Sequence, residues 1–414
     1  MRPILSNREV VLGVTGSIAA YKACEIASRL SEFGARVTPV LTRAARELVG
    51  AATFEAITGR RAITELFAPY QTVSFRRSSS ERTVNEEVEH IAVARRADLF
   101  AVAPATANIL AKAAVGLADD WLSTALLATR APVLFAPAMN SRMYSHPATQ
   151  ANVAALRARG CFFVGPESGR LACGEEGPGR MADPMTVIEA MVPLLGGTKE
   201  LAGKRVLITS GGNREPIDPV RFIGNRSSGK MGRALALAAL ARGAIVTVVT
   251  GPADTPLPYG VEAVSVETAQ QMADAVMARA ETANIVIGAA AVADYRVENP
   301  ASAKHKHSGK DLTLKLVENA DILAAVGAAK RPGQIVVGFA AETESLVRNA
   351  SAKLTGKHLD LIVANEVGTP DSGFGTDTVK AYFVTGGDNV ETLPLMTKDE
   401  LAWRLFDRIV SLLQ

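Results

Sequence analysis

The sequence predicts a two-domain α/β protein with mainly parallel sheets. Three observations predict it. The chain has 414 residues, more than one hydrophobic core usually organises. Short β-branched runs alternate with Ala/Leu-rich stretches of helical period, the sequence form of βαβ units. That alternation stops near Pro193 and begins again at Val206.

In order, the first half offers strand Val10–Val14, helix Ala19–Phe33 and strand Val37–Leu41. Then come strand Leu99–Ala103, a helix-like stretch Ala107–Ala128, strand Val133–Ala136 and helix Val153–Arg159. Residues 193–204 (PLLGGTKELAGK) carry adjacent glycines and little apolar periodicity, as a linker does. The second half offers strand Val206–Thr209, helix Met231–Arg242, strand Ile245–Thr250, helix Ala269–Ala280 and strands Ile285–Ala289, Ile335–Phe339 and Leu361–Ala364. The expected domains are therefore 1–192 and 205–414. Residues 69–89, polar and Ser-rich, break the rhythm; they read as an exposed loop, with a flap over a site as the alternative.

Hydrophobic residues make up 48% and charged residues 21%, which places the chain among globular proteins and away from disordered ones. The net charge is +3 with no long basic block, so nucleic acid is not an expected partner. Cys24, Cys161 and Cys173 are too few for a disulfide framework and form no CxxC pair, which points to a reducing, cytoplasmic compartment. The first apolar run is interrupted by Gly13, Thr15 and Gly16, too early for a signal segment or a membrane span.

Four segments of the first half carry candidate chemistry. Gly13–Lys22 (GVTGSIAAYK) puts glycine and a hydroxyl between a strand end and a helix start, where free N–H groups suit a phosphate. Its spacing is not the dinucleotide fingerprint. Ala103–Thr124 and Ala136–Tyr144 (APAMNSRMY) follow strands, and Gly169–Met181 (GRLACGEEGPGRM) is a glycine-rich loop with Cys173. His90 stands before a helical stretch. Singly, such a histidine caps or faces solvent, such an asparagine turns the chain, and such a cysteine packs as a small hydrophobe.

Together, in this order and spacing, these segments resemble the flavin-containing cysteine decarboxylases, and specifically the phosphopantothenoylcysteine decarboxylase domain, over roughly residues 8–190. The resemblance implies a flavodoxin-like domain with FMN as electron sink for loss of carbon dioxide from a cysteine carboxylate. It implies that His90 is the active-site histidine, that Asn140 binds the substrate carboxylate, and that Cys173 donates a proton. Gly16, Ser17, Thr42, Thr106 and Asn108 would hold FMN.

The second half opens with Ile208–Gly232 (ITSGGNREPIDPVRFIGNRSSGKMG), two glycine turns, the second starting a helix where Ser227 and Ser228 face an anion. Downstream lie GAAAVADY at 288–295, KHKH at 304–307, GFAAET at 338–343 and DLIVANEV at 360–367. This set resembles the phosphopantothenate–cysteine ligase domain over about residues 203–412. In fused bacterial enzymes of this kind the ligase uses CTP and magnesium to activate 4'-phosphopantothenate as an acyl-cytidylate, which the cysteine amine attacks. The carry-over implies Lys304 in acyl-cytidylate formation, Asn225 on the intermediate and Asp294 on the ribose. Gly288, Ala289, Ala290, Ala320, Asp321, Ile322, Leu323 and Phe339 would line the nucleotide pocket, with Lys353 and Lys357 at the nucleotide. His307 stands where the family's basic segment usually has a third lysine, and no metal ligands are assigned.

The expected enzyme therefore makes 4'-phosphopantothenoylcysteine and decarboxylates it to 4'-phosphopantetheine, as a homo-oligomer that by resemblance reaches a dodecamer. A nicotinamide-dependent oxidoreductase and a non-catalytic regulatory flavoprotein are the alternatives.

Overall fold

Strand β1 (Glu9–Val14) buries every residue from Val10 to Val14, and β3 (Leu99–Ala105) buries all of its residues, the mark of strands covered on both faces. The computed structural model describes residues 1–66, 89–172, 174–196, 199–306, 311–342, 346–366, 375–386 and 389–413. It divides into two units, Met1–Leu195 and Gly196–Gln414.

In the first unit β1, β2 (Arg36–Leu41), β3, β4 (Val133–Pro137) and β5 (Phe162–Phe163) form a wholly parallel sheet in the order β2-β1-β3-β4-β5. This is the doubly wound order of flavodoxin-like folds, in which the order of strand addition reverses between β1 and β3. Val11, Phe100, Val102 and Phe135 pack from the sheet against Ile109, Leu110, Trp121 and Leu122. An antiparallel hairpin, β6 (Glu167–Arg170) and β7 (Glu176–Arg180), follows.

The second unit begins with β8 (Arg205–Ser210) and a small hairpin, β9 (Glu215–Pro216) with β10 (Phe222–Ile223). After β11 (Ile245–Thr250), β12 (Glu262–Ser265) and β13 (Ile285–Gly288), a second small hairpin pairs β14 (Tyr295–Val297) with β15 (Leu316–Glu318). Then come β16 (Ile335–Glu342), β17 (Leu361–Glu366), the short β18 (Thr378–Val379), β19 (Ala381–Thr385) and β20 (Asn389–Thr392). The main sheet runs β12-β11-β8-β13-β16-β17-β19-β20, parallel through β17 and antiparallel at the last two strands. Its parallel part has the Rossmann order, with the switch between β8 and β13.

The closing helix Lys398–Leu412 shows how local sequence sets an element. Thr397 Oγ1 accepts the Glu400 N–H at 3.2 Å and Glu400 Oε2 accepts the Thr397 N–H at 2.9 Å, a capping box. Leu401, Leu405 and Ile409 then recur at helical spacing, fully buried with Phe406. Each such side chain contributes roughly 1.5–3 kcal/mol.

Three sequence expectations shift. The stretch Ala107–Ala128 is two helices, Ala107–Val115 and Trp121–Ala128, because Gly116 turns left-handed at φ 77° and Asp120 opens a new capping box with Ser123. Helix Pro184–Leu195 runs through Pro193, held by buried Val187, Ile188, Met191 and Leu195, so the first unit ends at Leu195 and not at 192. The hairpin of β6 and β7 carries no strand signal in the sequence, since neither strand contains a β-branched residue.

Candidate functional site

Each sheet opens a cleft at the carboxyl ends of its strands, at the switch point, where doubly wound folds bind ligands. In the first unit this cleft has a volume of about 690 Å³ and brings together Gly16, Ser17, Thr106 and Asn140. Thr15 ties the two sides: its Oγ1 donates to the Pro104 carbonyl at 2.7 Å and accepts the Thr106 N–H at 3.1 Å. Thr106 Oγ1 then caps the next helix through Ile109 N. Gly16 lies so close to Ala44 that a Cβ would collide with it. Helix Ala20–Glu32 starts at this cleft with no side-chain cap and no acid in its first turn, leaving its positive end open. Lys22, Arg170 and Arg180 add cations to the lining.

Asn140 is anchored on both atoms of its amide. Oδ1 accepts the Arg142 N–H at 2.8 Å, capping helix Ser141–Ser145, and Nδ2 donates to Glu175 Oε2 at 2.7 Å. Glu175 lies in the turn between β6 and β7, closed by Leu171 N to Glu175 O and Gly174 N to Leu171 O. The hairpin rests on the Met139–Ser141 segment, where the Met139 N–H reaches Gly179 O and a Cβ on Gly177 would come within 2.7 Å of Ser141 Oγ. Cys173 and the 69–88 part of the polar stretch lie outside the described residues.

Three expected residues are elsewhere. Thr42 does not line this cleft: it caps Arg43–Arg46 and bonds the Val14 carbonyl. Asn108 is exposed, and His90 sits half-buried on helix Glu89–Arg96; neither lines the cleft.

In the second unit a cleft of about 410 Å³ gathers Gly288, Ala290, Asp294, Ala320, Asp321, Ile322, Leu323, Phe339, Lys353 and Lys357. Gly288 pairs with Gly338 across β13 and β16, and a Cβ on either would press on Leu323 or Leu359. Ala289 is half-buried beside this wall and packs into the core. Asp321 caps helix Ile322–Ala328 through Ala324 N at 3.0 Å and pairs with Lys357 Nζ at 2.8 Å. Burial would raise its carboxyl, but the ammonium and the helix N–H groups outweigh this and hold it below the usual range.

Asn225 lines a neighbouring cleft of about 590 Å³ with Ser227 and Ser228 at the start of helix Lys230–Ala241. Its Nδ2 donates to the Val292 carbonyl at 2.9 Å, and Val292 lines the first of these clefts, so one amide joins both. Lys304 lies in neither. It is exposed, as is Lys306, with His305 half-buried between them, the alternation of an extended segment. His307 lies outside the described residues.

The segment is clasped from below. Asp218, its side chain fully buried, accepts the His305 N–H at 3.2 Å and the Arg221 guanidinium at 2.6 and 3.0 Å, while Arg221 also donates to the His305 carbonyl at 2.8 Å. Burial would raise the Asp218 carboxyl; the N–H groups of Val220, Arg221 and His305 and the guanidinium hold it far below the usual range. A depressed pKa contributes stability above the unfolded value of about 3.9, lost as pH falls through the folded value. Asp218→Asn is therefore expected to lower the melting temperature at pH 7, with the gap to wild type closing as thermal melts are taken below about pH 4.

Residues 3–196 match the family model described as Flavoprotein, and residues 201–413 match the DNA/pantothenate metabolism flavoprotein C-terminal domain. The chain is 44% identical over 411 residues to the coenzyme A biosynthesis bifunctional protein CoaBC of Escherichia coli (strain K12), covering 98% of both. It is 43% identical over 421 residues to CoaBC of Mycobacterium bovis, covering 98% of this chain and 97% of that one. The chain belongs to the CoaBC family. It is a bifunctional enzyme of coenzyme A biosynthesis, with decarboxylase and ligase activities. A solved structure of the FMN-dependent cysteine decarboxylase SpaF is 33% identical, covering 44% of this chain and 94% of its own, with a TM-score of 0.36.

In this CoaBC-family chain, sequence reasoning assigned no role to Lys22, Arg170 and Arg180, although all three lie inside the glycine-bearing segments it singled out. It also missed Asn213, Glu215 and Asn319, whose role depends on partners about 25 to 80 positions away. Asp294, Glu318 and Asp321 line the 410 Å³ cleft, yet no three metal-ligating side chains come together among the described residues. No described helix is long and apolar enough to cross a membrane.

Proposed function

We propose that the C-terminal unit condenses 4'-phosphopantothenate with cysteine through an acyl-cytidylate, using CTP, and that the N-terminal unit decarboxylates the product, 4'-phosphopantothenoylcysteine, with FMN. One observation carries this reading: most of the residues the two resemblances assign fall into clefts at the switch points of their own sheets.

The first cleft fits FMN. The open N-terminus of helix Ala20–Glu32 and the cations Lys22, Arg170 and Arg180 suit its phosphate, and Met139, Met143, Leu171 and Met181 offer an apolar wall to its rings. Bound FMN supplies the electron sink that a cysteine carboxylate lacks. Asn140, with its amide pinned by Glu175, orients the substrate carboxylate without adding charge. His90 and Cys173 would handle protons.

In the second unit the base and ribose of CTP would occupy the cleft of Gly288–Ala290, Phe339 and Asp294, with Lys353 and Lys357 meeting the phosphates. Magnesium would arrive on the triphosphate, held by phosphate oxygens and one or two carboxylates, as is usual for this ion. Asn225 stands between the two clefts, suited to steer the acyl-cytidylate. Exposed Val115, Leu117 and Leu127 support a homo-oligomer, and the reading places the enzyme in the cytoplasm.

The test is the visible spectrum of the purified protein, then carbon dioxide release from 4'-phosphopantothenate, cysteine, CTP and magnesium. A flavin spectrum with release that stops when CTP is omitted is expected. A colourless protein that takes up no FMN and releases nothing from supplied 4'-phosphopantothenoylcysteine would overturn the decarboxylase half.

A further inference from the structure

Asn213 and Glu215 are each only 2% exposed, polar groups buried where they must be paired. Glu215 Oε1 accepts the N–H of Ala269, the first residue of helix Ala269–Ala280, at 2.7 Å, so the carboxylate faces the positive end of that helix. The same oxygen accepts a hydrogen bond from Asn213 Nδ2. A carboxylate only accepts, so the amide of Asn213 has one possible orientation, with Oδ1 turned away from Glu215. That oxygen receives the N–H of Ala293 at 2.6 Å.

Ala293 is buried and precedes Asp294 on the wall of the 410 Å³ cleft. The turn is held from its other side as well: Asn319 Nδ2 donates to the Ala293 carbonyl and the Asn319 N–H to the Asp294 carbonyl, both at 2.8 Å. The backbone around Asp294 is thus gripped by two asparagines, one of which is oriented by a buried acid.

We infer that Asn213, oriented by Glu215, is a positioning residue that fixes the Ala293–Asp294 turn and thereby sets the affinity of the nucleotide site. The inference rests on the proposed reading of this cleft as the CTP pocket with Asp294 at the ribose. Asn213 acts through the turn and needs no contact with the nucleotide. The bond it supplies is made equally in the ground and transition states, so its loss falls on KM and not on kcat.

The test is a double-mutant cycle on the full chain, following pyrophosphate release from CTP with 4'-phosphopantothenate, cysteine and magnesium. Asn213→Ala is expected to raise KM for CTP about tenfold, the scale of one well-made hydrogen bond, with kcat within about twofold. In an Asp294→Ala background the same change is expected to cost no more than about twofold, because the group it positions is gone. Equal cost in both backgrounds, or a loss confined to kcat, overturns the inference. An unchanged KM in Asp294→Ala sinks the pocket reading itself; a raised KM there with an unchanged one in Asn213→Ala sinks the positioning role alone. Asn319→Ala removes the second grip on the same turn and carries the same cycle if Asn213→Ala does not fold.

Discussion

Asn140→Asp is expected to lower carbon dioxide release from 4'-phosphopantothenoylcysteine by about 10²- to 10³-fold, the usual cost of one oriented donor at a reacting charge. The ligase half, read as pyrophosphate release, should stay at the wild-type rate. The substitution keeps the side-chain shape, and an aspartate oxygen still accepts the Arg142 N–H that caps helix Ser141–Ser145. It removes the donor now 2.7 Å from Glu175 and sets two carboxylates against each other. The new charge also repels the substrate carboxylate. Folding should survive, because the site is half-exposed and the cap is retained. A variant with release within a fewfold of wild type would remove Asn140 from the reacting centre.

The second large effect is expected at Lys304. Lys304→Gln should slow acyl-cytidylate formation by about 10²- to 10³-fold, since a cation balancing charge on the transferring phosphoryl oxygens has no neutral substitute. The measurement is pyrophosphate release from CTP and 4'-phosphopantothenate with cysteine left out, which isolates the first half-reaction. Decarboxylation of supplied 4'-phosphopantothenoylcysteine serves as the control and should not change. The side chain is exposed, and the backbone next to it is held by Asp218 and Arg221 whatever residue 304 carries, so the fold does not depend on it. A full rate of pyrophosphate release would move the catalytic cation elsewhere, with Lys353 and Lys357 next in line on the cleft wall.

Both predictions use residues legible in the sequence, placed in contexts that were not. Asn140 stood out in APAMN after a strand, but its hold by Glu175 needed the hairpin of β6 and β7, whose glycines carry no strand signal of their own. Lys304 stood out in KHKH, yet the clasp that orders this segment comes from Asp218, more than 80 positions earlier. Thr42 and Thr106 read as ligand hydroxyls; the structure uses both as helix caps, and of the two it sets only Thr106 on the cleft wall. The same oxygen chemistry suits either task, and only neighbouring elements decide between them.

Local sequence was enough to specify the two α/β units, the parallel strands and the loops where chemistry gathers. Those features follow from local causes: β-branched runs that must be buried on both faces, helical spacing of apolar residues, and glycines where the chain turns or packs closely. The tertiary structure alone decided the strand orders, the clefts at β1/β3 and β8/β13, and the buried pairings of Asn213 with Glu215 and of Asp218 with Arg221 and His305. These join groups far apart in the chain, and a polar side chain shows its partner only once burial has taken away water as the alternative.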